Sequence, residues 1–380
     1  MTPLAWALAG VCALLIAINA LCGAIAYRRL RRRARLPAPA AGAPRISIIR
    51  PVCGIEAHVE ETLASGFALD WPDYELIFCV QQGSDPIVPI VERLIAAHPA
   101  IPARLLVGDE RVNANPKLNN CLKGWAAARS DWVVLADSNV LMPPDYLQQM
   151  MATWRPDTGL VCSTPLGSRP DGFWAEVECA FLNTLQARWQ YVGEAVGLGF
   201  AQGKSMLWRR DMLDAWGGLR ALAAEIAEDA AATKLVRAAG LHVHLVDSPF
   251  EQPIGHRRAR EVWGRQIRWA RLRRATFPAF FAPEIFSGVL PPLLAGCTAA
   301  WLAGGPVAAT GLGVLVLFHG AEVLLARGKG WHVSWPWVAA LLVRDCIIPI
   351  MWIGAWTGAQ VVWRGNRMSV EDKPATPATT

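Results

Sequence analysis

Charge is scarce in this sequence: 18 % of its 380 residues are Asp, Glu, Lys or Arg, where soluble domains carry about 25 %. The hydrophobic share, 53 %, exceeds the roughly 45–50 % of such domains, and the excess sits at the two ends of the chain. Paired cysteines are missing. The nine cysteines, at 12, 22, 53, 79, 121, 162, 179, 297 and 346, are odd in number and never form a C-x-x-C pair. That spacing argues against structural zinc and fits a reducing compartment. There is no P-loop, G-x-G-x-x-G, H-E-x-x-H or G-x-S-x-G, so common nucleotide-binding and hydrolytic chemistries find no support.

What is present begins with an uncharged run, "PLAWALAGVCALLIAINALCGAIA" at 3–26. At about 1.5 Å per residue it can cross the roughly 30 Å hydrocarbon layer. "YRRLRRRAR" follows at once, with six arginines in nine residues. A signal peptide carries its positive charges before the apolar core; here they come after it, so the run reads as a retained anchor with the following chain cytoplasmic. Beside a span the arginines suit anionic headgroups better than nucleic acid.

The linker "LPAPAAGAP" (36–44) is too proline-rich for a helix. Beyond it the character changes. The apolar runs "RISIIRPV" (45–52), "YELIFCVQ" (74–81), "ARLLVGD" (103–109) and "DWVVLAD" (131–137) alternate with helical patterns, "EAHVEETLASGFAL", "DPIVPIVERLIAAH" and "KLNNCLKGWAAAR". Such alternation predicts an α/β domain, a mostly parallel sheet with helices on both faces. Ligands of these sheets bind at the carboxyl ends of the strands. Asp137 stands at such an end, after five apolar residues, and a carboxylate there is costly unless something pairs with it.

Other candidates have an even or favoured structural explanation. Asp85, in "CVQQGSDP", reads equally as a helix N-cap. Glu225, Glu228 and Asp229 crowd one turn at a helix start, where acids complement the dipole. The stretch "RRAREVWGRQIRWARLRR" (257–274) is suited to a pyrophosphate through bidentate guanidinium bonds and equally to a membrane surface. The segment 166–202 is amphipathic and aromatic; it reads equally as an acceptor mouth and as core packing, and its small residues from Gly193 to Gly203 would permit a loop to move.

"CVQQGSDP", "NPKLNN" (115–120), "DSNV", "GKSMLWRR" (203–210), "IAEDAAATKLV" and "RQIRW" (265–269) occur together in an order and spacing that resembles the ceramide glucosyltransferase-like family, inverting membrane enzymes of the GT-A fold. The resemblance runs from about Arg45 to Pro283, and the flanking apolar segments fit it. It implies that Asp85 contacts the uridine of a UDP-sugar, that Asp137 coordinates a divalent metal (Mg2+ or Mn2+) on the diphosphate, and that Asp229 is the general base. Arg265, Arg268 and Trp269 match the family's (Q/R)-x-x-R-W motif, expected near diphosphate and acceptor, and Lys117 is a second nucleotide contact. The chain departs from D-x-D: its third position is Asn139, an amide oxygen that still ligates but removes one negative charge.

The C-terminal third explains a lipid acceptor. Runs at 287–305 and 306–326 are long enough for a spanning hairpin, while 335–363 contains Arg344 and Asp345, adjacent and so on different helix faces, and reads either as a third span or as a broken, re-entrant segment. The expected plan is an anchor at 1–27, a basic linker at 28–44, a catalytic domain at 45–256, interfacial helices at 257–286, membrane segments at 287–363 and a polar tail at 364–380. The expected protein is a multi-pass enzyme of a bacterial inner membrane, with its catalytic domain cytoplasmic and no nucleic-acid partner, that moves a hexose from a UDP-sugar to a membrane lipid. Glucose to ceramide is the first expectation and N-acetylglucosamine to a hopanoid the second. A processive polysaccharide synthase would need more spans, and a non-catalytic scaffold would not need the three aspartates.

Overall fold

The Ile- and Val-rich runs form strands because every second and often every residue is buried. They are β1 (Ile46–Pro51), β2 (Tyr74–Val80), β3 (Ala103–Val107) and β4 (Trp132–Ala136), joined by β5 (Thr158–Cys162), β6 (Ser205–Arg209) and β7 (His242–Leu245). All residues of β1, β2 and β5 are buried, whereas β3, at the sheet edge, is half-buried. A computed structural model describes residues 2–32, 35–39, 42–363 and 366–369. These divide into two units: one holds Gly193–Gly255 and the chain from the linker to Leu166, and the other holds the N-terminal helix, Gly167–Val192 and the chain from His256 onward.

In the first unit the seven strands make one sheet in the order β3-β2-β1-β4-β6-β5-β7. β1 is parallel to β2 and β4, β2 to β3, and β5 to β7; β6 runs antiparallel to both β4 and β5. The expected mostly parallel sheet is therefore present, with β6 the exception that the alternation of runs did not announce. From β1 the chain winds to β2 and β3 on one side and then to β4 on the other, and ligands bind at such a reversal, outside the carboxyl ends of the strands. Asp137 is the first residue past β4.

The helices follow from ordinary signals. Val88–Ala97 turns Val88, Val91 and Leu94 inward at helical spacing. Pro116–Ala127 opens with Pro116, and the Asn115 side chain accepts from the N–H groups of Lys117 at 2.9 Å and Leu118 at 3.2 Å. Ile48, Leu76, Phe78, Val134, Leu147 and Leu207 belong to the core that this packing closes.

In the second unit three described helices are long and apolar enough to cross a membrane: Pro3–Arg29, Val307–Lys329 and Trp335–Trp356. The run at 287–305 is long and apolar enough to cross only together with the helical stretch before it, as a broken span or a re-entrant loop. It is helical over Leu290–Leu302, 13 residues, about 20 Å at 1.5 Å per residue and so short of the roughly 30 Å core. Pro291 and Pro292 cannot donate to an earlier turn, and the helix meets Pro278–Phe286 at a 41° bend. Of the run at 335–363, Trp335–Trp356 is one helix that carries Pro349 inside it, and Gln360–Trp363 is a strand. Most of the expected tail at 364–380 lies outside the described residues.

Arg344 and Asp345 do not diverge as their adjacency implied. Both are buried, and Arg344 Nε donates to Asp345 Oδ1 at 2.7 Å. Arg344 also donates to Glu322 Oε2 at 2.9 Å and to Thr184 Oγ1 at 2.9 Å. Arg188 lies 3.4 Å from Glu322 and bonds Asn19 of the N-terminal helix. Two cations thus meet two carboxylates among helices that hydrocarbon would otherwise surround, which is how intramembrane charge is tolerated. Thr184 is presented by a π-helical stretch, Phe181–Ala187, whose wider turn often marks a local function.

Candidate active site

Asp137 finds its partners through strand register. Antiparallel pairing sets Ala136 opposite Ser205, and one step further the Asp137 N–H donates to the Lys204 carbonyl at 3.0 Å. Lys204 is thereby fixed beside the carboxylate. Its Nζ donates to Asp137 Oδ2 at 2.8 Å and to Asn139 Oδ1 at 3.0 Å. The Asn139 Nδ2 donates to Glu56 Oε2 at 3.1 Å, which orients the amide so that its oxygen faces the ammonium. Beneath this turn the buried Arg50 guanidinium donates to the carbonyls of Asp137 at 3.0 Å, Ser138 at 3.2 Å and Val140 at 3.2 Å. Burial pushes Arg50 down to about 10, still charged at neutral pH. Thr62 Oγ1 donates to the Ser138 carbonyl at 2.7 Å, so the "DSN" turn is held from two sides.

The other Asp137 oxygen belongs to Lys117, whose Nζ is 2.7 Å from Oδ1 and 2.6 Å from Glu228 Oε1. Lys117 sits in the first turn of its helix, where the dipole disfavours a cation, and its side chain is only 8 % exposed. Helix chemistry does not explain a lysine there; the two carboxylates do. Burial alone would raise Asp137, but the ammoniums of Lys117 and Lys204 outweigh it and hold the carboxyl well below the usual range. Burial would likewise lower Lys117, and Asp137 and Glu228 reverse that. The Asp137 side chain keeps 21 % exposure, enough to meet a ligand.

Asp229 joins the same centre through Gly203. The Gly203 N–H donates to Asp229 Oδ2 at 3.2 Å, and the Gly203 carbonyl accepts from Lys117 Nζ. A Cβ on Gly203 would lie 2.7 Å from Glu228 Oε1 and 2.9 Å from Lys117 Nζ, so any side chain there would displace these two groups. Asn115, besides capping its helix, donates to Glu228 Oε2 at 2.6 Å. Burial and then the Glu228 carboxylate push Asp229 up to about 6, which places a basic carboxylate near neutral pH. Such tuning is what a general base requires.

The structure brings together Lys117, Asp137, Asn139 and Asp229 of the expected site. Asp85 bonds elsewhere: its two oxygens accept from the Gly54 N–H at 2.9 and 3.1 Å, and Oδ1 also accepts from the Ile87 N–H at 3.0 Å. It ties the chain beyond β1 to the turn before the helix Val88–Ala97, whose N-cap is Ile87 rather than Asp85, and it stays half-buried. Two glycines of the stretch Gly193–Gly203 have close neighbours. Gly203 is bonded as above, and a Cβ on Gly199 would lie 2.1 Å from the Val243 carbonyl oxygen, so close packing selects that glycine.

Arg265, Arg268 and Trp269 lie in the second unit, on the helix Ala259–Thr276. Arg265 Nη1 lies 3.2 Å from Glu178 Oε1, and its guanidinium stands 5.9 Å from the Trp269 ring centroid, four residues on and so on the same helix face. The sequence pattern assigned Lys204 and Arg50 no role, and Glu228 only that of an acid complementing its helix dipole. Lys204 lay within the quoted "GKSMLWRR", yet only the β4–β6 register points it at Asp137.

A family model described as Glycosyl transferase family 21 matches residues 11–376. Ceramide glucosyltransferase 1 of Caenorhabditis elegans is 28 % identical over 334 residues, covering 86 % of this chain and 72 % of the relative. A ceramide glucosyltransferase of Komagataella phaffii is 37 % identical over 117 residues, 30 % of this chain and 23 % of the relative. Among solved structures, a mannosyltransferase from Pyrobaculum calidifontis in complex with GDP-Man and Mn2+ superposes with a TM-score of 0.50 at 18 % identity, covering 92 % of this chain and 98 % of that one. That likeness shows the GT-A fold.

Proposed function

Since the chain belongs to glycosyl transferase family 21 and is a membrane glycosyltransferase of the ceramide glucosyltransferase type, we propose that it transfers glucose from UDP-glucose to the hydroxyl of a ceramide with inversion. The observation that carries this reading is the junction of Asp137 and Asp229 through Lys117, Glu228 and Gly203 at the carboxyl edge of the sheet. The named relatives favour ceramide over the hopanoid alternative.

Asp229 takes the proton of the acceptor hydroxyl as its oxygen bonds to the anomeric carbon, and the bond to UDP breaks on the opposite side. One in-line displacement turns an α-linked donor into a β-linked product, and no covalent intermediate forms. The leaving diphosphate gains negative charge, and Lys117 and Lys204, held beside Asp137, offer preorganised positive charge to it. Asp85 contacts the uridine in this reading, with Arg265, Arg268 and Trp269 at diphosphate and acceptor.

The oxygens of Asp137 and Asn139 converge on one point, now held by the Lys204 ammonium, so the pair suits a hard cation. Asp137 and Asn139 would hold a Mg2+ or Mn2+ there, and the ion would offset charge on the diphosphate. The arginines that end the N-terminal helix support a cytoplasmic catalytic unit, and the reading sets it at a bacterial inner membrane. The test is to incubate membranes of an expressing strain with radiolabelled UDP-glucose or UDP-N-acetylglucosamine and separate the lipids. Label from UDP-glucose in a ceramide-type lipid is the expected result. Label in a hopanoid, in an insoluble polymer or nowhere overturns it.

A further inference from the structure

Lys204 Nζ donates to Asp137 Oδ2 at 2.8 Å and to Asn139 Oδ1 at 3.0 Å, the same two oxygens that suit a divalent ion. The main chain of Lys204 is pinned. Its carbonyl accepts from the Asp137 N–H at 3.0 Å, and β6 begins at the next residue, Ser205. Any movement of the ammonium therefore falls to the side chain, whose four-carbon stem is flexible.

The two ammoniums on Asp137 are not alike. Lys117 directs its Nζ to Asp137 Oδ1, Glu228 Oε1 and the Gly203 carbonyl. An ammonium has three donors, so Lys117, with its side chain 8 % exposed, acts on a ligand through its field and not through a bond. Lys204 faces one carboxylate oxygen and one neutral amide oxygen, and its side chain is 16 % exposed. It is the lysine that can change partners.

Charge decides when it does so. A divalent ion entering beside both ammoniums meets more positive charge than Asp137 offsets, because Asn139 is neutral and Glu228 is matched by Lys117. Like charges a few ångströms apart repel, and more strongly away from bulk water. A diphosphate supplies the missing negative charge, and a lysine ammonium binds phosphate oxygens as a compact point charge.

We propose that Lys204 is an exchangeable cation: its ammonium holds the Asp137 and Asn139 oxygens until the donor arrives and then passes to the diphosphate, so that a divalent ion gains those oxygens only together with a nucleoside diphosphate. Ion and diphosphate then tighten each other's binding by the same factor. This rests on the nucleotide-sugar reading above and adds to it the linkage between the two ligands.

The experiment uses the full chain in nanodiscs. Mn2+ affinity is read by electron paramagnetic resonance with and without UDP, and UDP affinity by calorimetry in Mn2+ and in EDTA, which closes the cycle. In wild type, UDP should tighten Mn2+ binding by about 100-fold, near the top of the usual range of coupling. Lys204→Met should bind UDP in EDTA about tenfold less tightly, the usual worth of a charge-assisted bond, and its coupling factor should fall to about tenfold or less. Lys204→Gln, also neutral and still able to donate to Asp137, should show the same losses if methionine disturbs the fold. An unchanged coupling factor, or equal UDP affinity in EDTA, overturns the proposal. Inorganic diphosphate in place of UDP reads the same coupling without the nucleoside. If that coupling is present while UDP-glucose yields no glucolipid, the functional reading fails and the lysine exchange stands; if the glucolipid forms and the coupling is absent, the exchange fails alone.

Discussion

Asp229 and Lys204 make the sharpest demands at the scale of single residues. With Asp229 pushed up to about 6, the base is protonated and idle below that value and ionised above it. Transfer should therefore rise with pH through about 6, and the acid limb of kcat against pH checks it. Asp229→Asn should lower kcat by about 10²- to 10⁴-fold, the usual worth of a general base, with UDP affinity intact by calorimetry. Lys204 makes a different prediction, because its ammonium lies on the same two oxygens that a divalent ion would use. Lys204→Met should bind Mn2+ at least tenfold more tightly than wild type without nucleotide, read by electron paramagnetic resonance, and equal affinity would show that the lysine swings aside freely. Asp137→Ala should abolish transfer while Asn139→Ala is milder, since the amide supplies one neutral ligand of the pair.

At the scale of elements, the strands β1 to β4 were legible because each is a short, mostly apolar run, and burial of β1, β2 and β4 on both faces demands that pattern. Asp137 was legible for the same reason, as the charge that ends one such run. Its partners were not. Lys204 lies 67 positions away and reaches Asp137 only because β6 runs antiparallel to β4, and strand pairing is a non-local choice that no local pattern encodes. Arg50 was hidden in another way: it reads as the polar residue of β1, yet it is fully buried and gathers the carbonyls of the "DSN" turn. Losing it takes a donor from three carbonyls, and the Val140 carbonyl, unlike that of Ser138 with Thr62, has no second one among the described residues; a buried acceptor left so costs about 1–3 kcal/mol. Arg50→Ala should accordingly lower both the thermal midpoint and UDP affinity, whereas a change in stability alone would show that the turn keeps its shape without the guanidinium.

At the scale of the molecule, the chain has apolar helices at both ends, and the membrane unit is closed by charge in its interior. Asn19, Thr184, Arg188, Glu322, Arg344 and Asp345 come from the N-terminal helix, the 167–192 segment and two C-terminal spans. Two arginines balance two carboxylates, with His319 Nδ1 3.4 Å from Glu322. Removing one cation leaves an uncompensated buried charge, which typically costs about 3–5 kcal/mol, whereas removing a matched pair is far less harmful. Arg344→Met alone should therefore reduce the monodisperse fraction on detergent size-exclusion chromatography. Adding Asp345→Asn restores neutrality, and an asparagine can still accept from the Val289 N–H that Asp345 Oδ2 meets at 2.8 Å. The double variant should recover much of the lost fraction. If it behaves no better than Arg344→Met, then the arginine matters through its bonds to Thr184 and Glu322 across helices, and not through charge balance.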